Sequence, residues 1–306
     1  MATIMAICTS PGKGTQKKDV GKARFIADWG VDGDAHAGKW HRQVSLLSLE
    51  KIEAFRARGA EVAYGAFGEN LVVSGIDFAA LPIGTRFYAG DVVLELTQIG
   101  KECHHGCEIF QKMGDCIMPR EGVFTKVLQG GELSVGDEIR YELPFRASVI
   151  TLSDSGVAGT RADRSGPVIQ EILKENGYPV VHTALLPDDP DQLSALLARL
   201  ADEHTADLIL TTGGTGFSPR DCTPEATRAV IERETPGIPE AMRAFSLRIT
   251  PRAMLTRAAA GIRKESLIIN LPGSPKAVRE CLEYILPSLS HGLAILKGLD
   301  GNCARP

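Results

Sequence analysis

No stretch of the 306-residue sequence approaches the roughly 18 uninterrupted apolar residues that mark a membrane-spanning helix, so neither a transmembrane helix nor a membrane partner is expected. A dominant charge is missing too. The 34 Lys and Arg are offset by 38 Asp and Glu, a net charge of −4 with no long run of one sign. That argues against nucleic acid as a partner, because phosphate-backbone binding needs a basic face. The opening Met1–Lys18 puts its lysines after a short apolar stretch, the reverse of a secretory signal. Cysteine is sparse: seven residues, an odd number, in a chain large enough to need no staples. Reduced thiols and a cytoplasmic setting are therefore expected. Two common nucleotide signatures are absent as well. No Gly-Lys pair precedes Ser or Thr, so there is no P-loop, and Gly214-Thr215-Gly216 runs on to Pro219 where a dinucleotide fingerprint needs glycine.

What remains is an ordinary globular mix, 43% hydrophobic and 24% charged, at a length that suits two domains. The two halves differ in texture. Residues 1–144 are broken by glycine every few positions, with short β-branched runs such as Val92-Val93-Leu94-Glu95-Leu96 between turn signals. This predicts a mostly-β barrel or sandwich with one helix near Leu49–Arg58. From residue 145 strands alternate with helices. Ala147–Leu152, Val180-Val181, Leu208-Ile209-Leu210 and Leu267-Ile268-Ile269 are apolar runs, while Leu193, Leu196, Leu197 and Leu200 recur at helical spacing. Val278, Cys281, Leu282, Ile285, Leu286 and Leu289 mark a last helix. The pattern predicts an α/β domain, 145–306, with a parallel sheet covered on both faces.

In the second half, the strand at Leu208 runs into Gly213-Gly214-Thr215-Gly216 and a helix follows, with Thr223 expected as N-cap and Pro224 at its first position. Ligands of open α/β sheets bind outside the carboxyl ends of the strands, and glycine backbone approaches an anion closely. Ser153-Asp154-Ser155 follows another strand and Asp163–Pro167 opens the next helix, while Asn270–Pro275 follows a later strand with Ser274 as an expected N-cap. Asp188 and Asp221 sit in two such loops, and a pair of carboxylates suits Mg²⁺ held against phosphates.

Residues 208–242, LILTTGGTGFSPRDCTPEATRAVIERETPGIPEAM, and 246–283, SLRITPRAMLTRAAAGIRKESLIINLPGSPKAVRECLE, resemble the MogA/MoaB family and the G domains of plant molybdenum insertase and gephyrin. The resemblance covers about 147–298. It implies a three-layer α/β domain, commonly trimeric, that adenylylates molybdopterin with Mg-ATP. Asp188 and Asp221 match the aspartates tied to metal and catalysis. Ser153, Asp154, Gly213, Gly214, Thr215, Gly216, Glu240, Ser246, Asn270, Gly273 and Ser274 match residues that line the pterin and nucleotide site.

The first half gathers Cys103, His104, His105, Cys107 and Cys116 within sixteen residues, Lys101 to Cys116. The residues allow a reactive thiolate or a zinc site, and their spacing favours neither. Gly30–Gly38, Gln43–Leu47, Phe67–Leu71 and Gly130–Asp137 resemble the MOSC (molybdenum cofactor sulfurase C-terminal) domain, which implies a β-rich fold with a sulfur-carrying or cofactor-binding cysteine. Cys107 matches that cysteine best and Cys116 second. The combined expectation is a protein of molybdenum cofactor biosynthesis: a MOSC-like domain, 1–144, that binds cofactor or sulfur, and an adenylyltransferase domain, 145–306. The alternative left open is a non-catalytic molybdopterin carrier with a structural zinc site in its first half.

Overall fold

The computed structural model describes residues 1–12, 15–101 and 108–299. It separates into two compact units, Met1–Pro144 and Phe145–Pro306. Among the described residues no helix is long and apolar enough to cross a membrane.

The first unit is built from β1 (Ala2–Thr9), β2 (Lys18–Asp19), β3 (Lys22–Ile26), β4 (Gly30–Val31), β5 (Val44–Ser48) and α1 (Leu49–Arg56). It continues with β6 (Leu71–Ser74), β7 (Arg86–Ala89), β8 (Val92–Ile99), α2 (Glu108–Met113), α3 (Met118–Glu121), β9 (Val123–Gln129), β10 (Gly131–Ser134) and β11 (Glu138–Glu142). Strands β11, β7, β8, β9, β5, β6 and β1 pair in that order, and β11 pairs back onto β1, so the sheet closes into a barrel. The mostly-β expectation holds. Alternation in β8 gives the sheet an inner face: Val92, Leu94 and Leu96 are buried while the residues between them are not. These side chains join Ile4, Leu46, Leu71, Phe87 and Val123 inside. Outward-facing Leu47, Val72 and Phe124 form a second core with Ile52 and Phe55 of α1 and Met118 of α3. Helix α1 occupies the expected place.

The second unit comprises β12 (Ala147–Leu152), α4 (Asp154–Val157), α5 (Ser165–Glu175), β13 (Val180–Leu186), α6 (Pro190–Asp202) and β14 (Leu208–Thr212). After these come α7 (Thr223–Val230), β15 (Arg233–Glu234), α8 (Gly237–Leu247), β16 (Ala260–Arg263), β17 (Ser266–Leu271) and α9 (Pro275–Leu296). The sheet order is β13-β12-β14-β17-β16-β15. The first four strands pair in parallel, whereas β16 and β15 add antiparallel at one edge. Leu193, Leu196, Leu197 and Leu200 of α6, with Ala226 and Val230 of α7, cover Ile150, Ile209 and Ile268 on one face. Helices α5 and α9 pack on each other and against β12 and β17. From β12 the chain adds β13 on one side and β14 on the other, so winding reverses between β12 and β14. That reversal opens a crevice at the carboxyl ends of these strands.

Candidate active site

Four loops meet at this crevice. Ser153, after β12, accepts from Gly156 N at 3.0 Å and caps α4. Next to it Asp154 N donates to Asp188 Oδ2 at 3.1 Å, and Asp188 N donates to Asp154 Oδ1 at 3.0 Å, tying the β12 and β13 loops together. Arg220, from the loop after β14, donates through Nε and Nη2 to the two Asp154 oxygens, each at 3.0 Å. Three loops are thereby linked through one carboxylate. The Asp188 N–H and then the Arg220 guanidinium hold the Asp154 carboxyl below the usual carboxylate range. Asp188 goes the other way: its burial, then the nearby charges of Asp154 and Asp221, push its carboxyl up.

The glycine turn explains how backbone reaches this acid. Gly213 and Gly214 have φ of +95° and +62°, values that side chains rarely tolerate. A Cβ on Gly213 would come within 2.4 Å of Leu152 O, and one on Gly214 would lie 2.4 Å from Thr223 Oγ1 and 3.2 Å from Asp188 Oδ1. Thr215 is buried, and Gly216 lies so close to Asp221 that a Cβ would meet its Oδ2 at 2.8 Å. Asp221 Oδ2 accepts from Ser218 N at 3.0 Å, which fixes the half-buried carboxyl on its own loop.

Thr223 differs from its expected role as N-cap. It is the first residue of α7, and Cys222 holds the cap position without a side-chain cap hydrogen bond. The Thr223 hydroxyl donates instead to Gly213 O at 2.9 Å, because the glycine turn returns against the start of the helix and supplies an acceptor there. Pro224 is accordingly the second helical residue. The turn after β17 is fixed similarly: Thr212 Oγ1 donates to Pro272 O at 2.6 Å and Ser165 Oγ to Gly273 O at 2.9 Å. Gly273 lies against Gly213. Ser274 is exposed and caps α9 by accepting from Ala277 N at 3.3 Å, as expected.

Not every expected residue faces this crevice. Asn270 is fully buried and its amide is used by the scaffold, donating to Thr211 Oγ1 at 2.9 Å and Thr227 Oγ1 at 2.8 Å and accepting from Ala259 N at 3.1 Å. It joins β14, β17 and α7. Ser246 lines a neighbouring cavity between α8 and α9 that Pro272 also lines. Glu240 is exposed on α8 and is not among the residues lining that cavity.

Two arginines escaped the sequence reading. Arg220 adjoins Asp221 in the chain, but a loop arginine does not announce its partner, here Asp154, 66 residues earlier. Arg257 gave no signal at all, lying 36 residues beyond the acid it serves. Its Nε donates to Gly216 O at 2.6 Å and its Nη2 to Asp221 O at 2.7 Å, while Nη1 pairs with Glu225. Its own N–H donates to Thr215 O at 2.9 Å, so one residue brackets the loop that carries Asp221.

Asp188 and Asp221 are hard oxygen donors whose charges oppose each other. A divalent cation of the Mg²⁺ kind would relieve that repulsion, and such ions usually complete their ligand set with phosphate and water oxygens. The donor set therefore fits Mg²⁺. Among the described residues no group of three His, Cys, Asp or Glu is arranged to hold a metal alone.

In the first unit Cys103 and Cys107, with His104 and His105, lie outside the described residues. Cys116 is 7% exposed and packed in the second core. The Gly33–His36 turn is more than a surface turn. Asp34 is buried and accepts both 2.8 Å bonds from the buried Lys17 Nζ, along with backbone N–H groups of Ser10 and His36 at 3.0 Å each.

The second unit is thus an α/β domain whose sheet switch point carries a loop-lined crevice, where Asp188, Asp221 and the Gly213–Gly216 turn come together. Residues 148–291 match the family model described as a probable molybdopterin binding domain, and residues 33–140 match the MOSC domain. Similar proteins include the molybdopterin adenylyltransferase of Helicobacter pylori strain J99, 43% identical over 152 residues, which is 49% of this chain and 86% of that protein. The molybdopterin adenylyltransferase of Escherichia coli K12 is 43% identical over 143 residues, 46% of this chain and 73% of that protein. A solved MoaB from Thermus thermophilus is 48% identical, covers 50% of this chain and 97% of its own, and has a TM-score of 0.48. The chain belongs to the molybdopterin adenylyltransferase family through its second unit and carries a MOSC domain in its first.

Proposed function

We propose that the second unit transfers AMP from ATP to the terminal phosphate of molybdopterin. A phosphate oxygen of molybdopterin attacks the α-phosphorus of ATP, the bond from that phosphorus to the β-phosphate bridge breaks, and pyrophosphate leaves. The observation that carries this reading is Asp188, drawn against Gly214 and sensing the charge of Asp221. When bound, Mg²⁺ would offset charge on the phosphates, with Asp188 and Asp221 as its protein ligands. The Gly213–Gly216 backbone supplies close approach for phosphate oxygens. Arg257 keeps the Asp221 loop in shape, and Arg220 with Asp154 keeps the three loops in register. Gly273 and Ser274 border the same crevice, and Ser246 faces the adjoining cavity. A three-layer trimeric arrangement and a cytoplasmic setting are part of the same reading.

The test is incubation of the full chain with molybdopterin, Mg²⁺ and labelled ATP, followed by pyrophosphate release. Release dependent on all three supports the enzyme. Tight molybdopterin binding without release would make this a carrier.

For the first unit, residues 1–144, we propose binding of the cofactor or an intermediate, with Cys107 rather than Cys116 as the sulfur-bearing thiol. Burial of Cys116 supports that choice, since a thiol 7% exposed in an apolar core meets no substrate. Alkylation near neutral pH should label Cys107 ahead of Cys116 and Cys281. Protection of Cys103 and Cys107 that a chelator relieves would favour zinc instead. Joining the two units on one chain raises the effective concentration of one site near the product of the other.

A further inference from the structure

The cavity beside the crevice has a volume of about 220 Å³ and lies between α8, the turn Pro251–Leu255 and the first turns of α9. Its walls are largely apolar, supplied by residues such as Met242, Ala258 and Cys281. Its chemistry is uneven. Arg243 and Arg252 are its cations, and Glu280 is the one acid among the described lining residues. Glu280 is placed to be available. Its ion pair with Lys276 spans 3.8 Å between residues one helical turn apart, with the lysine side chain 82% exposed, and such surface pairs contribute little. Pro272 joins the cavity to the turn beside Gly213, and Thr256 and Ala258 flank Arg257, which holds the Gly216–Asp221 loop. The cavity therefore adjoins the place where phosphate chemistry would occur.

We propose that Glu280 reads the pyrimidine edge of the pterin ring in this cavity, a specificity role that rests on the molybdopterin reading above. A pterin is flat and needs apolar walls for its faces. Its 2-amino-4-oxo edge presents two N–H donors side by side, from the 2-amino group and N3, much as a guanidinium does. A carboxylate accepts such a pair through both oxygens, and this parallel charge-matched geometry gives strength and selectivity together. A carboxylate rejects a ring that carries oxygen at C2, since two acceptors then face each other.

The experiment titrates the full chain with plain pterin and with lumazine, the same bicycle with oxygen in place of the 2-amino group, following ligand fluorescence. Wild type should favour pterin over lumazine by about 10- to 100-fold, the range for a hydrogen bond to a charged group. Glu280→Gln should lower pterin affinity by a similar factor and erase or reverse the preference, because its amide donates to the C2 oxygen and accepts from N3–H. Glu280→Ala should bind both weakly and alike. A melting curve and ATP affinity equal to wild type would show that the fold and nucleotide site survive. An unchanged pterin-to-lumazine ratio in Glu280→Gln, or no pterin binding by wild type, would overturn the proposal. If wild type discriminates but never releases pyrophosphate, the transfer reading fails while this assignment stands.

Discussion

Asp154 and Asp188 hold each other by their backbones, each main-chain N–H donating to the other's carboxylate at 3.1 and 3.0 Å. The exchange is symmetric in geometry and unequal in consequence. Asp154 also takes the Arg220 guanidinium and stays below the usual carboxylate range. Asp188 feels Arg220 only weakly, and burial and its acidic neighbours push it up. Asp154 is thereby spent on tying three loops together, and on the proposed reading Asp188 and Asp221 would be the ligands of the cation.

The first prediction follows from that inequality. Asp188 must be ionised to hold Mg²⁺, and its raised pKa means that protons compete for it above the pH at which an ordinary aspartate is charged. Transfer at low Mg²⁺ should therefore fall on acidification sooner than a normal carboxylate would allow. Metal binding stabilises the ionised form, so raising Mg²⁺ should move that limb to lower pH. The check is a pH profile of kcat/KM at two Mg²⁺ concentrations. An acid limb that does not move with metal would count against Asp188 as a ligand.

Arg257 offers a second prediction. Its guanidinium makes several directed bonds along one loop edge, and a lysine has only a single compact charge. Arg257→Lys should cost about tenfold or more in transfer rate, since each lost bond of this kind is worth roughly 1.5–3 kcal/mol of loop order. Because the loop is partly exposed, the melting temperature should drop by only a few degrees. Rate, pterin affinity and a melting curve on one preparation separate the two effects. A rate near wild type would mean the loop keeps its shape without the clamp.

The third prediction concerns the barrel. Glu69 is fully buried, and burial pushes its carboxyl up to about 7, even though Gly65 N and Phe67 N donate to it at 2.7 and 3.0 Å. A folded-state pKa above the unfolded value means the folded state binds the proton more tightly. The associated stability is present below about pH 4.3, the unfolded value, and is lost as pH rises through about 7. Glu69→Gln should remove that slope, at a cost of about 1–3 kcal/mol because its amide N–H₂ faces a backbone donor. Denaturant unfolding of the barrel's signal at several pH values measures both. A slope unchanged by the substitution would assign the pH dependence to another group.

Much of this was legible in the sequence because local rules and tertiary demand coincide. Val92, Leu94 and Leu96 alternate and do fill a barrel, and Leu193, Leu196, Leu197 and Leu200 do share one buried helix face. The loop acids Asp188 and Asp221 are legible because each sits in a loop after an apolar strand, Asp221 in the glycine loop itself, and because both match the aspartates of the MogA/MoaB resemblance. What stayed hidden depends on partners far apart in the chain. Thr223 looked like a cap until Gly213 O, ten residues earlier, claimed its hydroxyl. Asn270 looked like a ligand contact until Thr211 and Thr227 used its amide. Lys17 gave no sign that it would be buried on Asp34, since lysines are normally exposed.

The last prediction tests the acid on the glycine loop. Asp221→Asn keeps the size of the side chain and an oxygen to accept from Ser218 N, so the loop retains its 3.0 Å anchor. It removes the charge that would hold Mg²⁺ beside the phosphates. Losing one preorganised electrostatic contact of this kind costs about 2.7–4 kcal/mol of barrier, or roughly 10²–10³ in rate. Molybdopterin binding should suffer less, since the cavity beyond Pro272 and Ser246 is untouched. Stability should barely change, with any shift upward, because Asp188 loses a neighbour whose charge opposes its own. Transfer rate, pterin affinity and a melting curve for the same variant give three independent readings. Turnover within a few-fold of wild type would remove Asp221 from the metal set and turn attention to Asp188 alone, whereas loss of rate with intact pterin binding would put the charge of Asp221 at the chemical step.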